Sequence, residues 1–441
     1  MSKPLVAVVG RPNVGKSTFF NKIIGKRISI VEDTPGVTRD RIYAETEWRG
    51  VEFALIDTGG IEPTSREIIP AQMRAQAEIA IETCNVIVFM VDGKAGLTSD
   101  DREVASMLRR TGKKVILAVN KLDTGTITPE FYDFYELGIG EPVAVSSANM
   151  LGFGDILDMI VDSFPEEVTE EDEERIAIAV MGKPNVGKSS LVNALTGKNR
   201  VIVSPIAGTT RDSIDTPFEF EEEKYILIDT AGIRRKSKVN EDIERYSVIR
   251  AIAAIERADV CVLLIDAETG VSEQDKKIAG YAHEAGKGII IAVNKWDLID
   301  KTTGTMKEFT KEMEKEFVFM SYAPYVFISV KTGQRLTKLM ELVKVAAENR
   351  AMRVATGKLN SLIADAVMMK QPPSDKGKRL KIYYGTQVGV KPPLFSFQVN
   401  SRELMHFSYA RYLENKIRES FGFEGTSLKF VFREKGEKGN V

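Results

Sequence analysis

The chain has 441 residues, of which 43% are hydrophobic and 28% are charged. This composition is typical of a globular protein and excludes global disorder, and the length predicts two to four domains. The longest apolar runs, such as residues 86–91, have the length of a strand, and none approaches the roughly 20 residues that cross a bilayer. Cys84 and Cys261 are isolated and form neither a disulfide framework nor a zinc cluster, so we expect a cytoplasmic protein without a membrane partner.

Charge is distributed unevenly along the chain. The formal net charge is -2, but residues 350–441 contain 17 basic and 8 acidic residues, a net charge of +9, which leaves -11 on residues 1–349. This asymmetry indicates a C-terminal module that faces a polyanion, although packing against the acidic remainder, or solubility alone, would also produce it. Residues 166–174 hold seven acids and no base, which predicts an extended linker over 166–175; a solvated helix face is the alternative.

Short β-branched runs alternate with helical patterns in the acidic part of the chain. Continuous apolar strands separated by helices predict an α/β fold with doubly wound, mostly parallel sheets. The predicted strands are 5–9, 52–56, 86–91 and 115–119, followed by 176–180, 225–228, 260–265 and 289–293. The basic end differs, because helical patterns mix there with strand-like runs and predict an α+β domain. Its predicted helices cover 359–369 and 409–421, and its strands 381–384, 394–399 and 428–432.

Three short motifs occur twice, in the same order and with nearly the same spacing. The octapeptide at 10–17 recurs at 182–189, the tetrapeptide at 57–60 recurs at 229–232, and the one at 120–123 recurs at 294–297. Such a repeat indicates two copies of one domain. We therefore predict a first domain over 1–165, a second over 176–349 and a C-terminal domain over 350–441.

The first motif, Gly-x-x-x-x-Gly-Lys-Ser between a strand and a helix, predicts a phosphate-binding loop. Backbone N–H groups and the helix N-terminus would surround a polyphosphate, Lys16 and Lys188 would reach its β and γ groups, and Ser17 and Ser189 would offer hydroxyls to Mg²⁺. The predicted contacts are Gly10, Arg11, Pro12, Asn13, Val14, Gly15, Lys16, Ser17 and Thr18, and in the second copy Gly182, Lys183, Pro184, Asn185, Val186, Gly187, Lys188, Ser189 and Ser190.

The second motif begins with an aspartate at the end of an apolar strand, and the interval from the start of the phosphate loop is the same in both copies. Its carboxylate would hold the Mg²⁺ shell, and the following glycine would offer an N–H to the γ-phosphate. Alone, the motif would indicate a β-turn, but its repeated position favours the functional interpretation. The predicted residues are Asp57, Thr58, Gly59, Gly60 and Ile61, with Asp229, Thr230, Ala231, Gly232 and Ile233.

The third motif, Asn-Lys-x-Asp, selects the base. A carboxylate accepts both N–H donors on the Watson–Crick edge of guanine, and a site built on such hydrogen bonds rejects adenine. The predicted residues are Asn120, Lys121, Leu122 and Asp123, with Asn294, Lys295, Trp296 and Asp297; residues 146–148 and 329–331 would complete the pockets. Together the motifs predict that the chain binds and hydrolyses GTP at two sites.

The motif set resembles GTPases of the Era and TrmE type, and Thr-Arg-Asp at 38–40 and 210–212 supports this. Two GTPase domains, an acidic linker and a basic end are similar to the tandem bacterial members of that family over essentially the whole chain. The resemblance implies a KH-like C-terminal domain and a monomeric factor in assembly of the large (50S) ribosomal subunit, with that subunit, rRNA and ribosomal proteins as partners. Two alternatives are a nucleotide-dependent scaffold with incidental hydrolysis and a regulator of tRNA modification.

The same resemblance implies catalytic roles beyond those of Lys16 and Lys188. Thr38 and Thr210 match the switch I threonine that joins the Mg²⁺ site in the triphosphate state. Asn13 and Asn185 match an asparagine that binds K⁺ in potassium-stimulated relatives, where the cation balances charge on the leaving phosphate; support of the loop is the alternative. Ras-type enzymes place a water-orienting glutamine where this chain has Ile61 and Ile233, so we expect slow intrinsic hydrolysis.

In the C-terminal domain, the Gly-x-x-Gly sequence at 422–425 follows the last helix instead of joining two helices, which predicts a turn and not an RNA clamp. A run of basic residues is the better candidate for phosphate contacts: Lys376, Lys378, Arg379 and Lys381.

Overall fold

The structure is a computed structural model, and it describes residues 3–25, 43–58, 77–78, 80–124, 127, 129–164, 175–198, 215–229, 244–300, 304–375 and 378–434. Contacts group the chain into two compact units, one with residues 1–170 and 238–256 and the other with residues 171–237 and 257–441. Residues 166–174 of the predicted linker lie outside the described ranges, and the predicted domain boundaries stay predictions. Within those ranges, no helix is both long and apolar enough to span a membrane.

The first unit contains a six-stranded sheet of order β2-β3-β1-β4-β5-β6, in which only β2 runs antiparallel to its neighbour. Every residue of β1 and β4 is buried, as expected for strands with both faces covered. The elements are β1 (Leu5–Val9), α1 (Lys16–Ile24), β2 (Tyr43–Trp48), β3 (Val51–Asp57), β4 (Val86–Asp92), α2 (Ser99–Arg109), β5 (Lys114–Asn120), a 3₁₀ helix (Pro129–Leu137), β6 (Pro142–Ala144) and α3 (Phe153–Val161).

A second six-stranded sheet has the order β8-β9-β7-β10-β11-β12, which repeats the first, and again only the edge strand β8 is antiparallel. The elements are β7 (Ile176–Met181), α4 (Lys188–Lys198), β8 (Thr216–Phe220), β9 (Glu223–Leu227), α5 (Glu244–Arg257), β10 (Val260–Asp266), α6 (Glu273–Glu284), β11 (Gly288–Asn294), α7 (Thr305–Glu316), a 3₁₀ helix (Val318–Met320), β12 (Tyr325–Phe327) and α8 (Leu336–Ala351). The residues of α5 up to Glu256 belong to the first compact unit, and Ala253 lies in the core of that unit.

The matching strand orders confirm the predicted repeat and α/β fold class. The edge strands β2 and β8 were not predicted, because they carry charged and polar residues and only one of their side chains, Phe218, is buried. A continuous apolar run is the signature of an interior strand, and an antiparallel edge strand does not need one.

The C-terminal module contains a three-stranded sheet, in which β15 and β16 pair antiparallel and β16 and β17 pair parallel. Its two helices pack on this sheet around a core that includes Leu359, Phe397 and Leu413. The elements are α9 (Thr356–Met369), β13 (Ser374–Asp375), β14 (Lys378–Arg379), β15 (Ile382–Gly389), β16 (Leu394–Val399), α10 (Phe407–Phe421) and β17 (Lys429–Glu434).

This module packs on the second copy, within the same compact unit. The Gly-x-x-Gly sequence lies in a turn, as predicted, and Gly425 O accepts the Ile289 N–H at 2.7 Å. Arg350, 6% exposed, pairs with Asp259 at 2.7 Å and donates to Gly286 O at 3.1 Å. Asp259 precedes β10 and Ile289 is the second residue of β11, so the module docks at the amino ends of these strands, opposite the repeated motifs.

Candidate functional site

The repeated motifs meet at the carboxyl edge of each sheet. In the first copy the octapeptide follows β1, Asp57 ends β3 and Asn120 ends β5. The strand order places β3 on one side of β1 and β4 on the other. The phosphate loop after β1 therefore lies where the strand order reverses. Open α/β sheets bind their ligands at this switch point.

The lysine of each phosphate loop reaches back over the loop. Lys16 Nζ donates to Gly10 O at 2.6 Å and to Arg11 O at 2.8 Å, and Lys188 Nζ makes the matching bonds to Gly182 O and Lys183 O at 2.7 and 2.6 Å. Burial lowers the pKa of Lys16 to about 8, and the nearby Asp57 carboxylate opposes that shift. Each ammonium group is thus held in the concave loop where a polyphosphate would bind.

Two glycines permit a close approach between the phosphate loop and the third motif. Gly15 has φ 100°, and a Cβ there would lie 2.2 Å from Asn120 Nδ2. At Gly187, with φ 105°, the corresponding distance to Asn294 Nδ2 would be 2.4 Å. Any other residue would push the asparagine away from the loop.

The asparagine of the third motif links the phosphate loop to the base pocket. Asn120 Nδ2 donates to Val14 O at 2.7 Å, and its Oδ1 accepts the Ser147 N–H at 2.8 Å. In the second copy Asn294 makes the same two bonds, to Val186 O at 2.8 Å and from the Val330 N–H at 3.1 Å. One buried amide therefore sets the spacing between the ends of the nucleotide site.

Two aspartates that sequence analysis did not select orient the lysines of the third motif. Lys121 Nζ donates to Asp92 at 2.6 Å, and Lys295 Nζ donates to Asp266 at 2.6 Å. Burial opposes ionisation of both aspartates, but the lysine bonds prevail and lower their pKa values. The sequence contains a signal for these two aspartates, because they end β4 and β10 and recur at the same interval as the third motif itself.

The carboxylate predicted to read guanine in the first copy is held by two donors. Asp123 Oδ1 accepts from Ser146 Oγ at 2.7 Å, and Oδ2 accepts from Lys94 Nζ at 2.5 Å. The bond from Lys94, followed by that from Ser146, holds the pKa of the Asp123 carboxyl below its usual value. This residue is therefore an ionised acceptor, as recognition of two N–H donors requires.

Several predicted residues lie outside the described ranges, and their roles stay predictions. These are Thr38, Gly59, Gly60 and Ile61 in the first copy, Thr210, Thr230, Ala231, Gly232 and Ile233 in the second, and Lys376 in the C-terminal module.

The described part of the first site fits Mg²⁺. Ser17 is exposed on the first turn of α1, and Asp57 is buried at the end of β3; hydroxyl and carboxylate oxygens are the ligands that this ion prefers. The described residues contain no group of three or more His, Cys, Asp or Glu side chains able to hold a metal.

Two sheets of one strand order, each with a phosphate loop after its first strand and an Asn-Lys-x-Asp turn after its fifth, define a protein with tandem P-loop GTPase domains. A family model described as "50S ribosome-binding GTPase" matches residues 5–121 and 177–295. Another, described as "KH-domain-like of EngA bacterial GTPase enzymes, C-terminal", matches residues 353–433. Both matches agree with the architecture above.

Curated relatives match the chain from end to end. Proteins named "GTPase Der" are 64% identical over 436 residues in Alkaliphilus metalliredigens, 62% identical over 436 residues in Alkaliphilus oremlandii and 63% identical over 437 residues in Acetivibrio thermocellus. Each alignment covers 99% of this chain and 99% of the relative. The chain belongs to the GTPase Der family. It is a GTPase that uses guanine nucleotides with Mg²⁺.

The described residues of the first site each have a predicted role in nucleotide binding or phosphoryl transfer. The N–H groups of the loop and the Lys16 ammonium would offset phosphate charge, which is the main demand of phosphoryl transfer. Ser17 and Asp57 would hold Mg²⁺, which would further neutralise charge on the phosphates. Asp123 is predicted to recognise guanine, and Asp92 orients Lys121, whose stem is predicted to lie along the base.

The close approach at Gly15 generates a prediction about stoichiometry. We expect the parent chain to bind two GDP molecules and Gly15→Ala to bind one, because the added Cβ displaces Asn120 from the phosphate loop. Isothermal titration with GDP and Mg²⁺ measures this. Gly154→Ala is the matched control, since nothing lies within 4 Å of a Cβ at that helical position. Two full sites in Gly15→Ala would contradict the proposed constraint.

The lowered pKa of Lys16 predicts a pH dependence. Bound phosphate favours the charged lysine and raises its pKa above the free value of about 8, so binding takes up a proton once the pH exceeds that value. The dissociation constant for GDP at the first site should therefore be flat below pH 8 and rise by up to about tenfold per unit above it. Titrations from pH 6.5 to 9.5 in a Lys188→Ala background measure this. Lys16→Met should bind weakly without the rise; an identical rise in that variant would assign the effect to another group.

Proposed function

We propose that this GTPase acts in assembly of the 50S ribosomal subunit, and that its nucleotide state controls its binding to that subunit. The description of the family model that matches both GTPase copies, "50S ribosome-binding GTPase", supports ribosome association. The net charge of +9 on residues 350–441 supports contact with a polyanion, for which rRNA is the natural candidate. Ribosomal proteins, a monomeric state and a cytoplasmic location complete the proposal.

One observation carries the switching part of this proposal. Strand β11 begins at Gly288, beside the turn of the basic module, and ends at Asn294, which braces the second nucleotide site. Every residue of this strand is buried, so it is a stiff connection between the two places. A change at the carboxyl end of the sheet therefore has a direct structural path to the module, and the ribosome would sense the nucleotide through it.

Co-sedimentation with purified 50S subunits tests the proposal. We expect the chain loaded with a non-hydrolysable GTP analogue to pellet with the subunits, the GDP form to pellet several-fold less, and binding to weaken between about 50 and 200 mM salt. The double variant Lys378→Glu/Arg379→Glu should lose binding and keep both nucleotides, since these side chains are exposed and lie in the C-terminal module.

Equal binding in all nucleotide states would instead favour a scaffold with incidental hydrolysis. Binding in no state would refute the ribosomal role and leave the GTPase activity untouched.

We also propose that Asn13 and Asn185 bind K⁺ beside the phosphates. Both asparagines have a left-handed backbone, with φ 65° and 63°, a conformation that asparagine tolerates better than most residues. Asn13 is exposed at the tip of its loop. A cation there would balance charge on the leaving phosphate, as an arginine finger does in other GTPases.

Substitution of K⁺ for Na⁺ at constant ionic strength should therefore raise GTP turnover at least about tenfold, given the size of the effect of a single charge-stabilising group. The double variant Asn13→Ala/Asn185→Ala should lose the stimulation. The double variant Asn13→Asp/Asn185→Asp is the comparison, because aspartate also tolerates the left-handed backbone conformation. Equal turnover of the parent chain in Na⁺ and K⁺ would refute the potassium site.

A further inference from the structure

The two copies differ at the aspartate that begins the second motif. In the first copy, β3 runs through Asp57, which pairs with Val8 of β1 and is 2% exposed. In the second copy, β9 ends at Leu227, and Asp229 is a half-buried residue with a left-handed backbone, φ 57°. Residues other than glycine adopt this conformation rarely, and such outliers cluster at switch regions. Two positions that the sequence makes equivalent therefore have different backbones.

One carboxylate holds Asp229 in this turn. Asp215 Oδ1 accepts the Asp229 N–H at 2.9 Å, and Asp215 Oδ2 accepts from the Arg257 guanidinium. The Asp215 side chain is 8% exposed, so water screens these bonds less than those of an exposed pair. All three residues lie in the same compact unit, and we call them the latch. At the interval of the first two motifs, the first copy has Tyr43 in place of Asp215, and a phenol cannot supply two carboxylate oxygens.

The latch joins the ends of the two segments predicted to contact Mg²⁺ and the γ-phosphate. Asp215 follows the segment that contains Thr210. Asp229 precedes the segment that contains Gly232, and Arg257 ends α5, the helix after that segment. In GTPases such segments are ordered by the γ-phosphate and its Mg²⁺ and are released on hydrolysis. The latch is therefore placed to respond to the nucleotide.

We propose that Asp215 is a positioning residue of the second site: the latch holds Asp229 in a conformation that does not present its carboxylate to Mg²⁺, and it opens when the ion binds with GTP. A left-handed residue turns its Cα–Cβ bond away from the direction that an extended strand gives it. Asp229 is therefore not placed as Asp57 is, whereas β3 already extends through Asp57. This inference concerns Mg²⁺ and nucleotide binding, and the ribosomal role does not enter it.

The size of the effect follows from the population of the open latch. A site whose competent form is only fractionally populated binds its ligand more weakly by that fraction. The bond from Arg257 to Asp215 is charge-assisted, and one bond of that kind changes an equilibrium by about tenfold. We therefore expect the latch to reduce about tenfold the tightening of nucleotide binding that Mg²⁺ provides.

Fluorescence titration of the full chain with a non-hydrolysable mant-GTP analogue tests the proposal. A Lys16→Ala background confines the nucleotide to the second site. The quantity measured is the ratio of the dissociation constant in EDTA to that in saturating Mg²⁺. Asp215→Ala should raise this ratio about tenfold. Arg257→Gln should raise it several-fold, since Asp215 then keeps its bond from Asp229. Because both changes open one latch, the double variant should match Asp215→Ala alone.

The dissociation constant in EDTA separates this effect from a general loss of structure. It should stay at the parent value in both variants, because the latch acts on the metal-binding aspartate and not on the phosphate loop or the base pocket. Tyr43→Phe in a Lys188→Ala background is the matched change in the first copy and should leave the ratio of the first site unchanged. A ratio that is unchanged or lower in Arg257→Gln and Asp215→Ala would overturn the proposal. Weaker binding in EDTA that accounts for the whole effect would also overturn it, since it would give Asp215 a general structural role.

Discussion

The nucleotide sites depend on one buried amide in each copy. Asn120 donates to the carbonyl of Val14 in the phosphate loop and accepts from the backbone of the segment after β6. It therefore fixes the distance between the predicted phosphate-binding and base-binding halves of the site. The glycine at position 15 lets this amide approach, since a Cβ there would lie 2.2 Å from it. The second copy repeats the arrangement with Asn294 and Gly187.

Much of this design was predictable because it depends on residue types with few substitutes. Interior strands such as β1 and β10 are continuous apolar runs, and a strand-loop-helix with fixed glycines and lysine has a recognisable spacing. The edge strands β2 and β8 were not predictable in this way, because a half-exposed strand carries no continuous apolar signal. Asp92 and Asp266 were missed for a different reason: each is a single acidic residue at the end of a strand, and only its bond to the lysine of the third motif reveals its role.

The two copies share one framework and differ in charge. Both copies have the same strand order, the asparagine bridge and the aspartate–lysine pair, and the bonds of the bridge and the pair are buried or partly buried. Some differences lie in exposed residues such as Lys94 and Glu268. Exposed side chains change without cost to packing, so a duplicated domain can acquire a second behaviour there while its core stays constant.

The attachment of the basic module has a practical consequence for dividing the protein. Arg350 closes α8 of the second copy, yet it also donates to the carbonyl of Lys391 in the module, and the buried Phe423 follows the helix whose Arg418 stacks on Tyr322. A chain cut near residue 351 would uncover the Tyr322 ring and remove the Lys391 carbonyl from the buried Arg350 guanidinium. The last GTPase domain and the basic module therefore form the smallest fragment that should be expressed as one piece.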